Sequence, residues 1–147
     1  MAMHTTKAQR HEEPTKKVSH DPLLPDTERI ASQIVDAAFK VHSALGPGLL
    51  ESVYETCLLH ELRSRSLKAQ RQVTLPIICE GLQIDSGLRL DLLIEDQVVV
   101  ELKAVEKFLP ILGAQLLTYL KLSGHRLGLL INFNVPRIKD GIRRIIL

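Results

Sequence analysis

The chain has 147 residues, 45% of them hydrophobic and 24% charged, with a formal net charge of +2 at pH 7. That length is the size of one domain able to bury roughly two thirds of its unfolded surface, and the balance is ordinary for a soluble globular protein. The apolar runs are too short for a membrane span, no apolar signal segment opens the chain, and Cys57 and Cys79 form no CxxC pattern. A cytoplasmic protein with two buried thiols, and with neither zinc nor an iron–sulfur cluster, is therefore expected.

Residues 1–24 are polar, carry His4, His11 and His20 without metal-motif spacing, and read as a disordered tail. A single domain is expected to occupy 25–147. Pro25, Asp26 and Thr27 are helix-start signals, and Ile30, Ile34, Ala38, Val41 and Leu45 recur at helical spacing before Gly46–Pro47 stops the helix. His42 on this helix reads as a satisfied, half-buried imidazole. A second helix, "LLESVYETCLLHELRSRS", follows Gly48. Its expected buried stripe is Leu50, Val53, Cys57, Leu58 and Leu62, with Glu51 and Tyr54 as neighbours beside it at i and i+3.

Then the period shortens. "QRQVTLPIICEGLQI" alternates like a strand, with Pro76 marking an edge or weakening its middle and Glu80–Gly81 offering a turn. "LRLDLLIE" and "QVVVELKAV" are aliphatic strands joined through Glu95, Asp96 and Gln97 as a hairpin that bends at Asp96–Gln97. "PILGAQLLTYLKLSG" returns to helical spacing through Leu112, Leu116, Leu117 and Leu120, and "RLGLLINF" and "GIRRIIL" read as strands. The order ααβββαβ, with a short last strand, predicts an α/β fold of three layers. A mixed β-sheet lies between helices, and its strand–helix–strand crossover is parallel.

Three charged residues interrupt the aliphatic strands: Asp91, Glu101 and Lys103. A buried ionised carboxylate is costly unless something pairs with it or coordinates it. Glu101 and Lys103 share one strand face, and the hairpin sets Asp91 beside Glu101. Two readings stay open on spacing alone. In one, Asp91 pairs with Arg89 or Lys103, and Glu101 with Lys103, as a sheet-face ion pair. In the other, the carboxylates flank Mg²⁺, which takes one or two carboxylates with waters and phosphate oxygens. Helix two could bring Glu51 over the same spot, and Gln115 and Tyr119 share a face of the third helix at i and i+4.

Basic residues are unevenly spread. After Glu106, seven of them (Lys107, Lys121, Arg126, Arg137, Lys139, Arg143, Arg144) face one acid, Asp140, and Arg63, Arg65, Lys68 and Arg71 form a second group. Both groups are compatible with a polyanionic partner. With no tryptophan and five Phe and Tyr in all, a binder that stacks bases on aromatic platforms is not expected.

"GLLESVY", Gly48 to Tyr54, has G-x-x-E-x-x-Y spacing. With "VHSALGPG", "LDLLIED", "VVVELKAVE", "AQLLTYLKL" and "LGLLINFNVP" in the same order, residues 26–147 resemble the GxxExxY family of the PD-(D/E)XK nuclease superfamily. The resemblance implies a restriction-endonuclease-like core and a Mg²⁺- or Mn²⁺-dependent nuclease acting on nucleic acid, DNA before RNA, in repair or processing. It implies that Asp91 binds the metal, that Glu101 and Lys103 form the ExK pair, and that Glu51 is the helical acid. Gln115 and Tyr119 match the QxxxY helix motif of RecB-like branches. On this reading Asp91, Glu101 and the Leu102 carbonyl hold the cation, and Glu51 acts through water or a second metal. Leu90 stands where a proline often precedes the aspartate, "RSRSL" lacks a helix-ending glycine, and "PIICEG" lacks an aromatic. The rival expectations are a silent nucleic-acid-binding module and a protein-interaction scaffold. Oligomeric state is left open, a homodimer included.

Overall fold

The computed structural model describes residues 21–147; residues 1–20, most of the expected tail, lie outside the described residues. Three helices and five strands follow in the expected order. They are α1 Pro25–Leu45, α2 Glu51–Ser64, β1 Ala69–Cys79, β2 Leu82–Ile94, β3 Val98–Lys103, α3 Pro110–Ser123, β4 Leu127–Asn132 and β5 Ile142–Ile146. The sheet order is β1-β2-β3-β4-β5; β3 and β4 are parallel and every other pair is antiparallel. This is the restriction-endonuclease-like α/β arrangement.

Local chemistry sets the elements. α1 starts with proline in its first turn and with Asp26 and Glu28, whose charges suit the positive end of a helix. It ends where Gly46 takes φ +75°, and Gly48 at φ +97° turns the chain into α2. Those angles favour glycine because a Cβ would crowd the backbone. Pro76 lies on the edge strand, at a register shift between Leu75 and Ile77, where its missing N–H costs little. The β2–β3 bend is made by Glu95 (φ +53°) and Asp96 (φ +55°), one residue earlier than the sequence suggested.

Both sheet faces are covered. Ile30, Ile34, Leu58 and Leu62 of α1 and α2 pack on Leu92, Ile94, Val98, Val100, Leu102, Leu129 and Ile131. On the other side α3 lays Leu116 and Leu120 on Leu93, Val99 and Leu130. Each fully buried aliphatic side chain contributes about 1.5–3 kcal/mol of transfer free energy. Leu88 and Leu90 also belong to the α3-side core, although a regular strand would give them the face of Leu92 and Ile94. β2 therefore turns over at Asp91. Opposite it, Gln72 has φ +51° and falls out of the ladder between the pairs Arg71↔Leu92 and Val73↔Leu90. The β2–β3 ladder holds only Leu92↔Val100, Leu93↔Val99 and Ile94↔Val98. Beyond it β2 continues with β1 and β3 with β4, leaving a fork.

Three details of the expected core differ. On α2, Leu50 and Val53 are exposed and Cys57 is half-buried, while Tyr54, Glu55, Leu58, Leu59 and Leu62 face inward. The helix is rotated because the Tyr54 ring stacks on Phe133, with centroids 4.6 Å apart and planes 8° from parallel. Cys79 is exposed at the end of β1. Leu117 is exposed on α3. His42 is satisfied as expected, its Nε2 2.8 Å from the Val135 carbonyl.

Two glycines give opposite expectations. A Cβ on Gly141 would fall inside van der Waals contact with the Asn132 carbonyl oxygen, a backbone atom that cannot swing away, whereas a Cβ on Gly113 meets only Ile145 at 3.7 Å. Gly113→Ala should raise stability by about 0.5–1 kcal/mol by removing a helix-interior glycine. Gly141→Ala should lower it by about 1–3 kcal/mol or more. Urea titrations of the three proteins check both signs.

Candidate active site

The fork between β2 and β3 is closed by side chains instead of ladder bonds. The Asp91 N–H donates to Glu101 Oε1 at 3.1 Å, and the Leu102 N–H donates to Asp91 Oδ2 at 2.9 Å. Each carboxylate thus caps the other's strand, which satisfies two buried donors and holds two like charges side by side. Glu101 is buried and Asp91 half-buried. Burial first, and then the neighbouring Asp91 charge, push the Glu101 carboxyl up to about 8.

No direct ion pair neutralises the two carboxyl groups among the described residues. Among the described residues, no ion pair within 4.0 Å includes Asp91, Glu101, Lys103 or Arg89. The sheet-face ion-pair alternative is therefore not what the fold builds. Lys103, two residues from Glu101 on the same strand face, is half-buried and near enough to lower the Glu101 carboxyl, though less than Asp91 raises it.

The other expected residues approach from both layers. Glu51 is the first residue of α2, and its carboxyl is raised by desolvation first and by Asp91 second, with Lys103 opposing. A helix N-terminus ordinarily favours the carboxylate, so the upward direction marks burial first and the Asp91 charge second. Tyr119 of α3 is raised by desolvation, then by Glu101 and Asp91, and lowered by Arg89. Gln115 is half-buried one turn earlier on α3, and its side chain makes no hydrogen bond to a described residue. Among the described residues no three His, Cys, Asp or Glu side chains converge as a metal cluster. The convergent donors are the Asp91–Glu101 pair, with Glu51 outside direct reach.

Neighbouring residues that the sequence did not single out fix this geometry. Asn132, paired with Lys103 across β3 and β4, is buried. It donates to the Val105 carbonyl at 2.9 Å and accepts from the N–H groups of Val105 and Asn134 at 3.0 and 3.2 Å, locking the chain that leaves Lys103. Its signal was the one that marked Asp91, a polar residue in an aliphatic run. Glu55, also buried, accepts from Gln72 at 2.6 Å and Arg71 at 3.2 Å, tying α2 to the irregular point of β1 opposite Asp91.

The basic groups are largely engaged within the protein. Arg144 donates twice to Glu28 at 2.7 Å, Arg143 lies over the Phe108 ring at 4.5 Å, and Arg126 donates to the carbonyls of Asp21, Pro22 and Leu147. Arg137 pairs with Asp140, Arg65 with Asp36 and Glu61, and Arg63 bonds the Ala69 carbonyl. A charge count along the sequence therefore overstates the cationic surface.

A family model described as PD-(D/E)XK nuclease superfamily matches residues 28–145. No curated protein matches the chain. A solved structure titled "Crystal structure of SSO0001" matches with a TM-score of 0.51 and 24% identity over 83% of this chain, a likeness of fold. The chain spans 62% of that structure's length.

The raised Glu101 carboxyl makes a pH expectation. A group whose folded pKa lies above its unfolded value stabilises fully below the unfolded pKa, near 4.3, and that contribution is lost as pH rises through about 8. Glu101→Gln keeps an acceptor for the Asp91 N–H and can donate to the Asp91 carboxylate. The metal-free variant should therefore melt several degrees above the metal-free wild type at pH 8, and the gap should shrink toward pH 5. Parallel melting curves across that range would remove the like-charge pair as their cause.

Proposed function

The chain belongs to the PD-(D/E)XK nuclease superfamily, and on that premise we propose that it is a divalent-metal-dependent nuclease hydrolysing phosphodiester bonds of nucleic acid. One observation carries the reading. Two carboxyl groups are held together in the sheet fork, each with one oxygen on a backbone N–H, and among the described residues no basic side chain forms an ion pair with either. Such a donor set fits Mg²⁺ or Mn²⁺, which take one or two carboxylates and complete their shell with water and phosphate oxygen. The finer assignment to the GxxExxY family rests on the spacing of Gly48, Glu51 and Tyr54.

Asp91 and Glu101 would hold the cation, with the Leu102 carbonyl as third protein ligand. When bound there, a cation would supply Lewis acidity to the scissile phosphate and lower the pKa of its bound water toward neutrality. Lys103 is not a ligand, because an ammonium has no lone pair. Its positive charge offsets charge developing on the phosphate in the transition state and orients the attacking water. Glu51, beyond direct reach, holds a water on the Asp91 side. Tyr119, near the same carboxylates, and Gln115, one turn away, line the path of the substrate strand. Phosphate contacts fix the strand's position without reading bases. Arg89, exposed, two residues before Asp91 and without an ion pair among the described residues, suits that task.

The test is Lys103→Ala in single-turnover cleavage with Mg²⁺ or Mn²⁺, across DNA and RNA single strands, duplexes and branched structures. Folding, metal affinity and nucleic-acid affinity should persist, while the rate falls on the order of a hundredfold or more, the usual cost of one preorganised charge. Wild-type cleavage by the variant would remove Lys103 from the chemistry. A wild type that binds nucleic acid but cleaves nothing in the panel would make the protein a silent binding module.

A further inference from the structure

We infer that Tyr54 is the positioning residue for Glu51: its hydroxyl fastens the α1–α2 loop so that the first residue of α2 meets the Asp91–Glu101–Lys103 site. This rests on the nuclease reading for what Glu51 does, and on geometry for how Glu51 is held. Tyr54 is fully buried, yet its hydroxyl is doubly satisfied by backbone: it donates to the Gly46 carbonyl at 2.6 Å and accepts the Leu49 N–H at 3.1 Å. The two partners flank Pro47 and the left-handed Gly48, so one hydroxyl closes the loop that delivers Glu51.

The ring extends the same device. It stacks on Phe133, whose N–H donates to the Lys103 carbonyl at 2.9 Å. A continuous set of contacts therefore runs from the loop before Glu51, through the Tyr54 and Phe133 rings, to the backbone of Lys103. Glu51 and Tyr54 lie three residues apart on one side of α2, so fixing one fixes the other. No cap side chain holds this helix N-terminus, since Leu50 makes no capping hydrogen bond. The Tyr54 hydroxyl takes over part of that work from one turn inside the helix. Its removal leaves a loop carbonyl and an N–H to find water, and the helix start gains freedom.

A double-mutant cycle tests this. Tyr54→Phe keeps the stacked ring and deletes the hydroxyl; Glu51→Gln deletes the charge it delivers. Two quantities are read on the same four proteins: single-turnover cleavage, and Mn²⁺ affinity by calorimetry, which needs no turnover. Tyr54→Phe should lower the cleavage rate by about ten- to a hundredfold, the range for a small misplacement, and should weaken Mn²⁺ binding. In the Glu51→Gln background it should change neither further. Equal losses in both backgrounds would mean that Tyr54 merely supports the fold, and would overturn the inference. If Tyr54→Phe does not fold, Gly48→Ala performs the same cycle, because its Cβ meets open space and only strains the loop. If the wild type cleaves nothing, the nuclease reading fails and the Mn²⁺ cycle alone decides the positioning role. A wild type that neither cleaves nor binds Mn²⁺ overturns both.

Discussion

Repulsion between two neighbouring carboxylates is the constraint around which this fold is arranged. Asp91 and Glu101 sit where the central strands part, and each is pinned by an N–H from the other's strand. Those two bonds give the fork a defined width and force the carboxylates together. In the metal-free protein burial first, and the neighbouring Asp91 charge second, push the Glu101 carboxyl so far up that it keeps a proton, which also relieves the repulsion. A cation in the fork would relieve it instead. The energy that a hydrophobic pair would have contributed at this point of the sheet is given over to the proposed cation site.

The surrounding structure keeps that pair in place from three directions. Glu55 holds Arg71 and Gln72, so that β1 drops one ladder position opposite Asp91. Asn132 fastens the chain after Lys103 to the end of β4 through two hydrogen bonds with Val105. Phe133, the next residue, bonds the Lys103 carbonyl and carries the Tyr54 ring. All three anchors are buried, and none is itself a donor to the proposed cation. Glu55 belongs to α2, Asn132 ends β4, and Phe133 directly follows that strand.

Much of this was legible in the sequence wherever one residue type admits one explanation. Pro76 lacks an N–H and so belongs to an edge; aliphatic runs at 88–105 belong to central strands; Asp91 and Glu101 stand out because nothing apolar surrounds itself with charge by default. What escaped depended on partners distant in sequence. Glu28 neutralises Arg144 from 116 positions away, so a basic cluster counted along the chain is not a basic surface. The inward face of α2 is set by one tyrosine hydroxyl reaching back to Gly46 and one ring meeting Phe133, and hydrophobic spacing alone favoured Leu50 and Val53 instead. The positive φ of Glu95 and Asp96 was equally hidden, because neither is glycine or asparagine.

The central claim is that a divalent cation and a proton compete for the same pair of carboxylates. Calorimetry of Mn²⁺ binding at pH 6.5, repeated in buffers of different ionisation enthalpy, measures that competition directly. Because a carboxyl held near 8 is protonated at this pH, the account predicts release of about one proton per ion bound, fading above pH 8 and lost with Asp91→Asn. Mn²⁺ binding without proton release, or release unchanged by Asp91→Asn, would contradict it.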